Sequence, residues 1–267
     1  MQILLTNDDG IYAPGLAALE RRLRSLGDVA VIAPLTEQSG VGHAITYLHP
    51  LMAREVYEGS RRRGWAVEGS PADCVKLAIA ELCRPRPQLV VSGINSGQNA
   101  GINVLYSGTV AAAIEGAFFG ITSIAVSLEY DEQARYDLAA DLAVPLIQQI
   151  LAQKDSEPQL FNLNIPLEAL ERPAEVRVVP MCVAPWGEQF EPRFDPRGRA
   201  YYWATGRPPV PPVDEPTDLS ELRRGHITLT PLHFDMTRRD KLVDMRRWQF
   251  KSHNVTPEKC QLSETSR

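Results

Sequence analysis

Near the start of the chain an apolar run, Ile3-Leu4-Leu5, passes through Thr6 and Asn7 into two adjacent carboxylates and a glycine, Asp8-Asp9-Gly10. A short apolar run closed by a turn signal reads as a buried strand of a parallel sheet. Ligands of open α/β sheets bind outside the carboxyl ends of such strands, so Asp8 and Asp9 fall where chemistry is done. At the turn that Gly10 permits, both carboxylates can converge on one point, and a partly buried anionic pair repels unless a cation joins it. The bland reading of the same octapeptide is an Asx-type turn that ends the strand.

The sequence that follows has a βα rhythm. Leu16, Leu19, Leu23 and Leu26 recur at helical spacing up to Gly27, predicting an amphipathic helix. Residues 29–33 form a second buried strand, giving a right-handed βαβ unit. A polar loop, Thr36-Glu37-Gln38-Ser39-Gly40-Val41-Gly42-His43, lies on the same edge as Asp8. Ser39 can supply a neutral oxygen ligand there, whereas His43 is given no role. Residues 45–67 read as one or two hairpins, with Arg61-Arg62-Arg63 at a solvated tip. Ser70 then caps a helix with Pro71 in its first turn and Asp73 three residues on, running to about Cys83. The strand at 89–93 leads into an amide- and glycine-rich loop in which Asn95 comes off the strand end and Asn99 follows. Ser107-Gly108-Thr109 opens a small-residue helix. Such a start suits a phosphate, through free N–H groups and the helix dipole, but equally suits ordinary capping by Ser107 or Thr109. Strands are expected at 121–128, 160–165 and 227–232, extended chain at 176–183, and a helix with Pro145 inside it over 136–153. One hairpin arm is expected at 197–203, a proline-rich extended loop at 208–216 and a polar, frayed tail after His253.

Composition removes several classes. A net charge of −5 over 267 residues gives no reason to expect a nucleic-acid polymer or an anionic membrane as partner. No apolar run approaches membrane-spanning length, and no basic segment precedes a signal-type apolar core. The GxGxxG and GxxxxGK[ST] fingerprints are absent. Cys74, Cys83, Cys182 and Cys260 contain no CxxC pair, so reduced thiols in a cytoplasmic protein are expected.

Carboxylates at Asp8 and Asp9, a hydroxyl at Ser39 and an amide at Asn95 make a hard oxygen set that suits Mg²⁺, Mn²⁺ or Ca²⁺ rather than zinc. A hard cation beside an anion cradle is equipment for phosphoryl chemistry. The motifs that carry this set resemble those of the SurE survival proteins, a family of metal-dependent 5′-nucleotidases. They are Leu4-Leu5-Thr6-Asn7-Asp8-Asp9-Gly10-Ile11, Glu37-Gln38-Ser39-Gly40, Gly69-Ser70-Pro71-Ala72-Asp73-Cys74, Ser92-Gly93-Ile94-Asn95 with Asn99, Tyr106-Ser107-Gly108-Thr109-Val110, Asp195-Pro196-Arg197-Gly198 and Thr228-Leu229-Thr230-Pro231-Leu232.

The resemblance implies an α/β fold: a Rossmann-like, mostly parallel sheet flanked by helices over 1–183, forming the catalytic core. A smaller hairpin-rich extension over 184–267 would serve oligomerisation and site closure. It implies one divalent cation per subunit on Asp8, Asp9, Ser39 and Asn95, substrate contacts from Asn99, Ser107, Gly108 and Thr109, and catalytic roles for Asp8, Asp9, Asn99 and Ser107. It further implies hydrolysis of nucleoside 5′-monophosphates, with some activity on 3′-nucleotides and short polyphosphate, by a cytoplasmic homodimer or homotetramer. Where some members carry a histidine after the segment matching Asp235-Met236-Thr237, Arg238 and Arg239 stand here, with His233 nearby. Metal-bound water and direct attack by Asp8 or Asp9 both remain as nucleophiles. A receiver-type phosphoacceptor would need an aspartate where Asn95 stands, and a non-catalytic nucleotide module would not need the double aspartate. The aromatic run Tyr201-Tyr202-Trp203 is suited to a subunit interface.

Overall fold

The structure is a computed structural model that describes residues 1–185, 189–205 and 216–250. Most of the expected proline-rich loop at 208–216, the tail after His253 and Cys260 fall outside the described residues. In chain order the elements are β1 (Gln2–Thr6), α1 (Pro14–Leu23), β2 (Asp28–Pro34), β3 (Ala53–Glu58), β4 (Arg61–Val67), α2 (Pro71–Leu77) and β5 (Leu89–Ser96). There follow α3 (Gly108–Phe118), β6 (Thr122–Leu128), α4 (Tyr136–Gln153), β7 (Leu160–Ile165), β8 (Val176–Val178), β9 (Phe190–Phe194), β10 (Ala200–Ala204), α5 (Asp218–Leu222), β11 (Ile227–Leu232) and α6 (Arg239–Met245).

Nine strands form one sheet in the order β3-β4-β2-β1-β5-β6-β7-β11-β8. The run from β4 to β7 is parallel, whereas β3 pairs antiparallel with β4 and β11 antiparallel with β7. The expected α/β, Rossmann-like architecture is therefore observed, with a separate antiparallel hairpin of β9 and β10. From β1 the chain first builds outward to β2 and later to β5 on the other side. Strand order thus reverses between β1 and β5, and the crevice beyond their carboxyl ends is the place such folds bind ligands.

Apolar alternation divides the sheet into two faces. Ile3, Leu5, Val91, Ile124, Val126, Leu163 and Ile165 pack with Leu16 and Leu19 of α1 and Ala140, Ala143 and Ile147 of α4. Leu4, Ile32 and Val90 face α2, and Ala125 and Leu160 face α3. Pro14 occupies the first turn of α1, and its buried leucines recur three and four residues apart. At α2 the Ser70 hydroxyl accepts from the Asp73 N–H while the Asp73 carboxylate accepts from the Ser70 N–H, the capping box expected from the sequence. The helix then widens into a π-turn at Ala78–Leu82, where the Cys83 N–H bonds the Ala78 carbonyl at 2.8 Å. Pro145 lies inside α4.

Two regions show more than the sequence reading held. Residues 45–67 give one hairpin, and its second strand is drawn into the sheet beside β2. Arg63 is consequently not at a solvated tip: its guanidinium donates to Glu20 Oε2 at 2.9 Å and to the Ile11 carbonyl at 2.8 Å, tying β4 to α1. Contacts also group Met1–His233 as one compact unit and the residues from Phe234 onward as a second. Within the first unit β11, which lies in the expected extension, inserts between β7 and β8 of the main sheet. In the second unit α6 has no buried residue.

Candidate active site

Asn7 builds the turn after β1. Its Oδ1 accepts from the Gly10 N–H at 3.2 Å and its Nδ2 donates to the Gly10 carbonyl at 3.1 Å, while Gly10 adopts a φ of +100° that disfavours other residues. An Asx-type turn is present, but Asn7 makes it, and the carboxylates of Asp8 and Asp9 are left for other work. Asp8 is only 4% exposed and Asp9 half-buried.

The start of α3 is directed at Asp8. Thr109 donates to Asp8 through both its hydroxyl and its backbone N–H. Gly108 stands so near that an added Cβ would lie 2.8 Å from Asp8 Cβ and 3.0 Å from Asp8 Oδ2, so only glycine permits this approach. The Ser107 hydroxyl accepts from the Val110 N–H at 3.1 Å and caps α3. Capping by Ser107, one of the two sequence readings, is thus present, while Thr109 is occupied by Asp8.

Burial raises the Asp8 carboxyl above its ordinary range against the opposing bonds from Thr109. Burial, with the Asp8 charge adding to it, pushes Asp9 up to about 7. Asp9 Oδ2 accepts a long bond from the Ser96 N–H at 3.4 Å, and Ser96 also hydrogen-bonds Tyr136, the first residue of α4. Two residues that the sequence did not single out therefore border the acid pair: Tyr136, and Glu37, whose charge acts on both aspartates. Tyr136 carried no local signal beyond a helix start.

Asn95 follows three positions after Ser92, the register partner of Thr6 on β1, which places it beside Asp8 and Asp9 at the strand ends. Its Nδ2 donates to the Gly97 carbonyl at 2.6 Å, leaving Oδ1 as the side chain's ligating oxygen. Ser39 is less closely joined. The loop is attached through the Gln38 N–H, which bonds the Asp8 carbonyl at 2.8 Å, while the Ser39 hydroxyl donates to Glu37 Oε1 at 2.6 Å. The same loop is fastened further on, where Thr46 donates from N–H and hydroxyl to Asp73 and where His43 Nε2 meets Glu115 Oε2 at 2.7 Å. His43 also stacks on Phe118, so it serves to hold the loop.

Asn99 is buried on the far side of β5. Its Nδ2 donates to Ser127 Oγ at 3.0 Å, and its main chain is held by Asn162 and Asn164 of β7. Among the described residues no group of three or more His, Cys, Asp or Glu is arranged to hold a metal. The donor set here is of another kind: two carboxylates that repel while charged, with amide and hydroxyl oxygens beside them. That chemistry fits a hard divalent cation. Cys74, Cys83 and Cys182 are buried free thiols away from this set.

The sequence model of the family described as Survival protein SurE matches residues 3–188. This chain belongs to the SurE family. Among relatives in the family, the 5′-nucleotidase SurE of Rhodopirellula baltica is 58% identical over 252 residues, covering 94% of this chain and all of that protein. The 5′-nucleotidase SurE of Heliobacterium modesticaldum is 43% identical, covering 93% of this chain and 92% of that protein. The crystal structure of the SurE protein from Aquifex aeolicus superposes with a TM-score of 0.81 at 35% identity, covering 92% of this chain and 98% of that one. Among the described residues no helix is long and apolar enough to cross a membrane.

Proposed function

We propose that this chain is a divalent-cation-dependent 5′-nucleotidase that hydrolyses nucleoside 5′-monophosphates to nucleoside and phosphate. The observation that carries the reading is the buried acid pair at the β1/β5 reversal with the start of α3 set against it, in a chain that matches proteins named 5′-nucleotidase over nearly its whole length. Asp8, Asp9 and Asn95 would hold the cation, with Ser39 brought in by its loop. When bound, the cation supplies Lewis-acid polarisation of the phosphoryl group. Thr109 fixes the Asp8 carboxylate in one orientation, and Gly108 lets helix and carboxylate approach. Ser107, Gly108 and Asn99 border the space for the phosphate, where the positive end of the α3 dipole favours an anion. Activity on 3′-nucleotides and short polyphosphate belongs to the same proposal, since both present a terminal phosphate to this cradle.

Purified protein should release phosphate from nucleoside monophosphates with Mg²⁺ or Mn²⁺ and lose that activity on exhaustive chelation. Full activity after chelation would overturn the metal role, and absence of phosphate release with every divalent cation tried would overturn the reaction.

The proposal includes assembly. In the β9–β10 hairpin Phe190, Phe194, Tyr202 and Trp203 are all more than half exposed, an apolar surface suited to an interface. A homodimer or homotetramer built partly on this hairpin is expected. A monomeric mass by light scattering at micromolar protein would refute it.

A further inference from the structure

Strand β7 reads Leu160-Phe161-Asn162-Leu163-Asn164-Ile165, and both asparagines are fully buried. An interior strand gains nothing from buried amides unless they are hydrogen-bonded. The bonds found here go to one residue of a loop more than sixty positions earlier. Asn164 is bidentate on the Asn99 main chain, its Oδ1 accepting from the N–H at 2.8 Å and its Nδ2 donating to the carbonyl at 3.1 Å. Asn162 Nδ2 donates to the same carbonyl at 2.7 Å. The pair does for an irregular loop residue what a neighbouring strand does for a regular one. We infer that Asn162 and Asn164 are positioning residues for the phosphatase reaction, acting through Asn99 by fixing its main chain and hence the direction of its side chain.

The inference rests on the reading of Asn99 as a residue that borders the substrate. The fixing is three-sided, because Ser127 at the end of β6 takes the Asn99 amide at 3.0 Å. One step further along the loop, the Gly101 N–H is held by the buried carboxylate of Asp218 at 2.8 Å. The layer is also more polar than its bonding requires. Asn162 Oδ1 and the hydroxyls of Thr228 and Thr230, which sit opposite Asn164 and Asn162 on β11, have no protein partner. Unpaired buried polar atoms lower stability. An apolar strand pair would make a more stable sheet, but it could not hold the loop.

The test is a double-mutant cycle on turnover of a nucleoside monophosphate, with Mn²⁺ affinity measured by calorimetry alongside. Asn99→Ala and Asn164→Ala should each lower kcat/KM by about tenfold to a hundredfold, the scale expected for displacing a group at a reacting centre. Mn²⁺ affinity should stay at the wild-type value. The double variant should be no worse than the poorer single variant, because Asn164 has nothing left to position. Losses that multiply in the double variant, or wild-type turnover of Asn164→Ala beside an impaired Asn99→Ala, overturn the positioning role. Wild-type turnover of Asn99→Ala instead overturns the placement of Asn99 at the substrate, and the inference falls with it. Asn162→Val guards against loss of fold. It keeps strand propensity and removes a buried polar atom, so a purely structural role predicts equal or higher thermal stability with full turnover. The positioning role predicts equal or higher stability with turnover several-fold lower.

Discussion

The two faces of the central sheet are built on different principles. Toward α1 and α4, successive strands offer Ile3 and Leu5, Val91, Ile124 and Val126, Leu163 and Ile165, and Ile227, nearly all without exposure. On the opposite face the same strands offer Thr6, Ser92, Ser123 and Ser127, Asn162 and Asn164, and Thr228 and Thr230. The first face is joined by area removed from water, which is strong and tolerant of small shifts. The second is mixed: Leu4, Val90, Ala125 and Leu160 pack under α2 and α3, while Ser127, Asn162 and Asn164 hold the Asn99 loop by hydrogen bonds, which are directional and contribute less net stability. The contrast teaches that one face is given wholly to holding the fold together, whereas the other shares that work with holding the loop that bears Asn99.

Substitutions can break or sharpen that division. The largest effect is expected at Asp8→Asn on the site side. On the proposed reading Asp8 is an anionic ligand of the cation, and its loss should lower turnover by at least about a thousandfold. Excess Mn²⁺ should recover part of it, and the melting temperature should not fall, because a buried carboxylate is removed. Phosphate release with a thermal melt checks both halves. Leu163→Ala lies on the other face, one residue from Asn164. It should cost about 2–5 kcal/mol in denaturant unfolding, while turnover per folded molecule stays at the wild-type value. A matching loss of turnover would show that the faces are not separable. Ser107→Ala removes the α3 cap, worth about 1 kcal/mol, and, on the proposed reading, one phosphate contact. Turnover should drop by roughly tenfold to a hundredfold with Mn²⁺ affinity retained in a calorimetric titration. The smallest effect is expected at Arg21→Ala. It removes an ion pair with Asp137 at 2.6 Å in which both side chains are more than half exposed. Such pairs contribute less than about 1 kcal/mol, so neither the denaturation midpoint nor kcat/KM should move appreciably.

Much of this was legible in the sequence for a local reason. The apolar run ending in Asp8 and Asp9, the leucine spacing of α1 and the Ser70–Asp73 cap each declare themselves within a few residues. What was not legible depends on partners far apart in the chain. Alternation in β7 shows that Asn162 and Asn164 share a face, but nothing local says that the group facing them is the Asn99 main chain. Arg63 reads as one of three solvated arginines until β4 is drawn in beside β2 and Glu20 becomes its partner. Thr109 reads as a phosphate ligand or a cap, and only the close approach across Gly108 makes it the residue that holds Asp8. The Asx-type turn was foreseen in kind, but which of three adjacent polar residues would build it was decided by Asn7 having both a donor and an acceptor to give Gly10.

The late strand β11 has a consequence for how the molecule comes into being. It pairs with β7, completed more than sixty residues earlier, on one side and with β8 on the other. Until Ile227–Leu232 has emerged from the ribosome, β7 presents an open edge and β8 has no strand to join. An open edge is a template for pairing with other chains. A nascent or truncated chain ending before β11 is therefore exposed to self-association even though the acid pair and the capped start of α3 are already encoded. β11, the last strand among the described residues, closes that edge by pairing with β7 and joins β8 to the sheet.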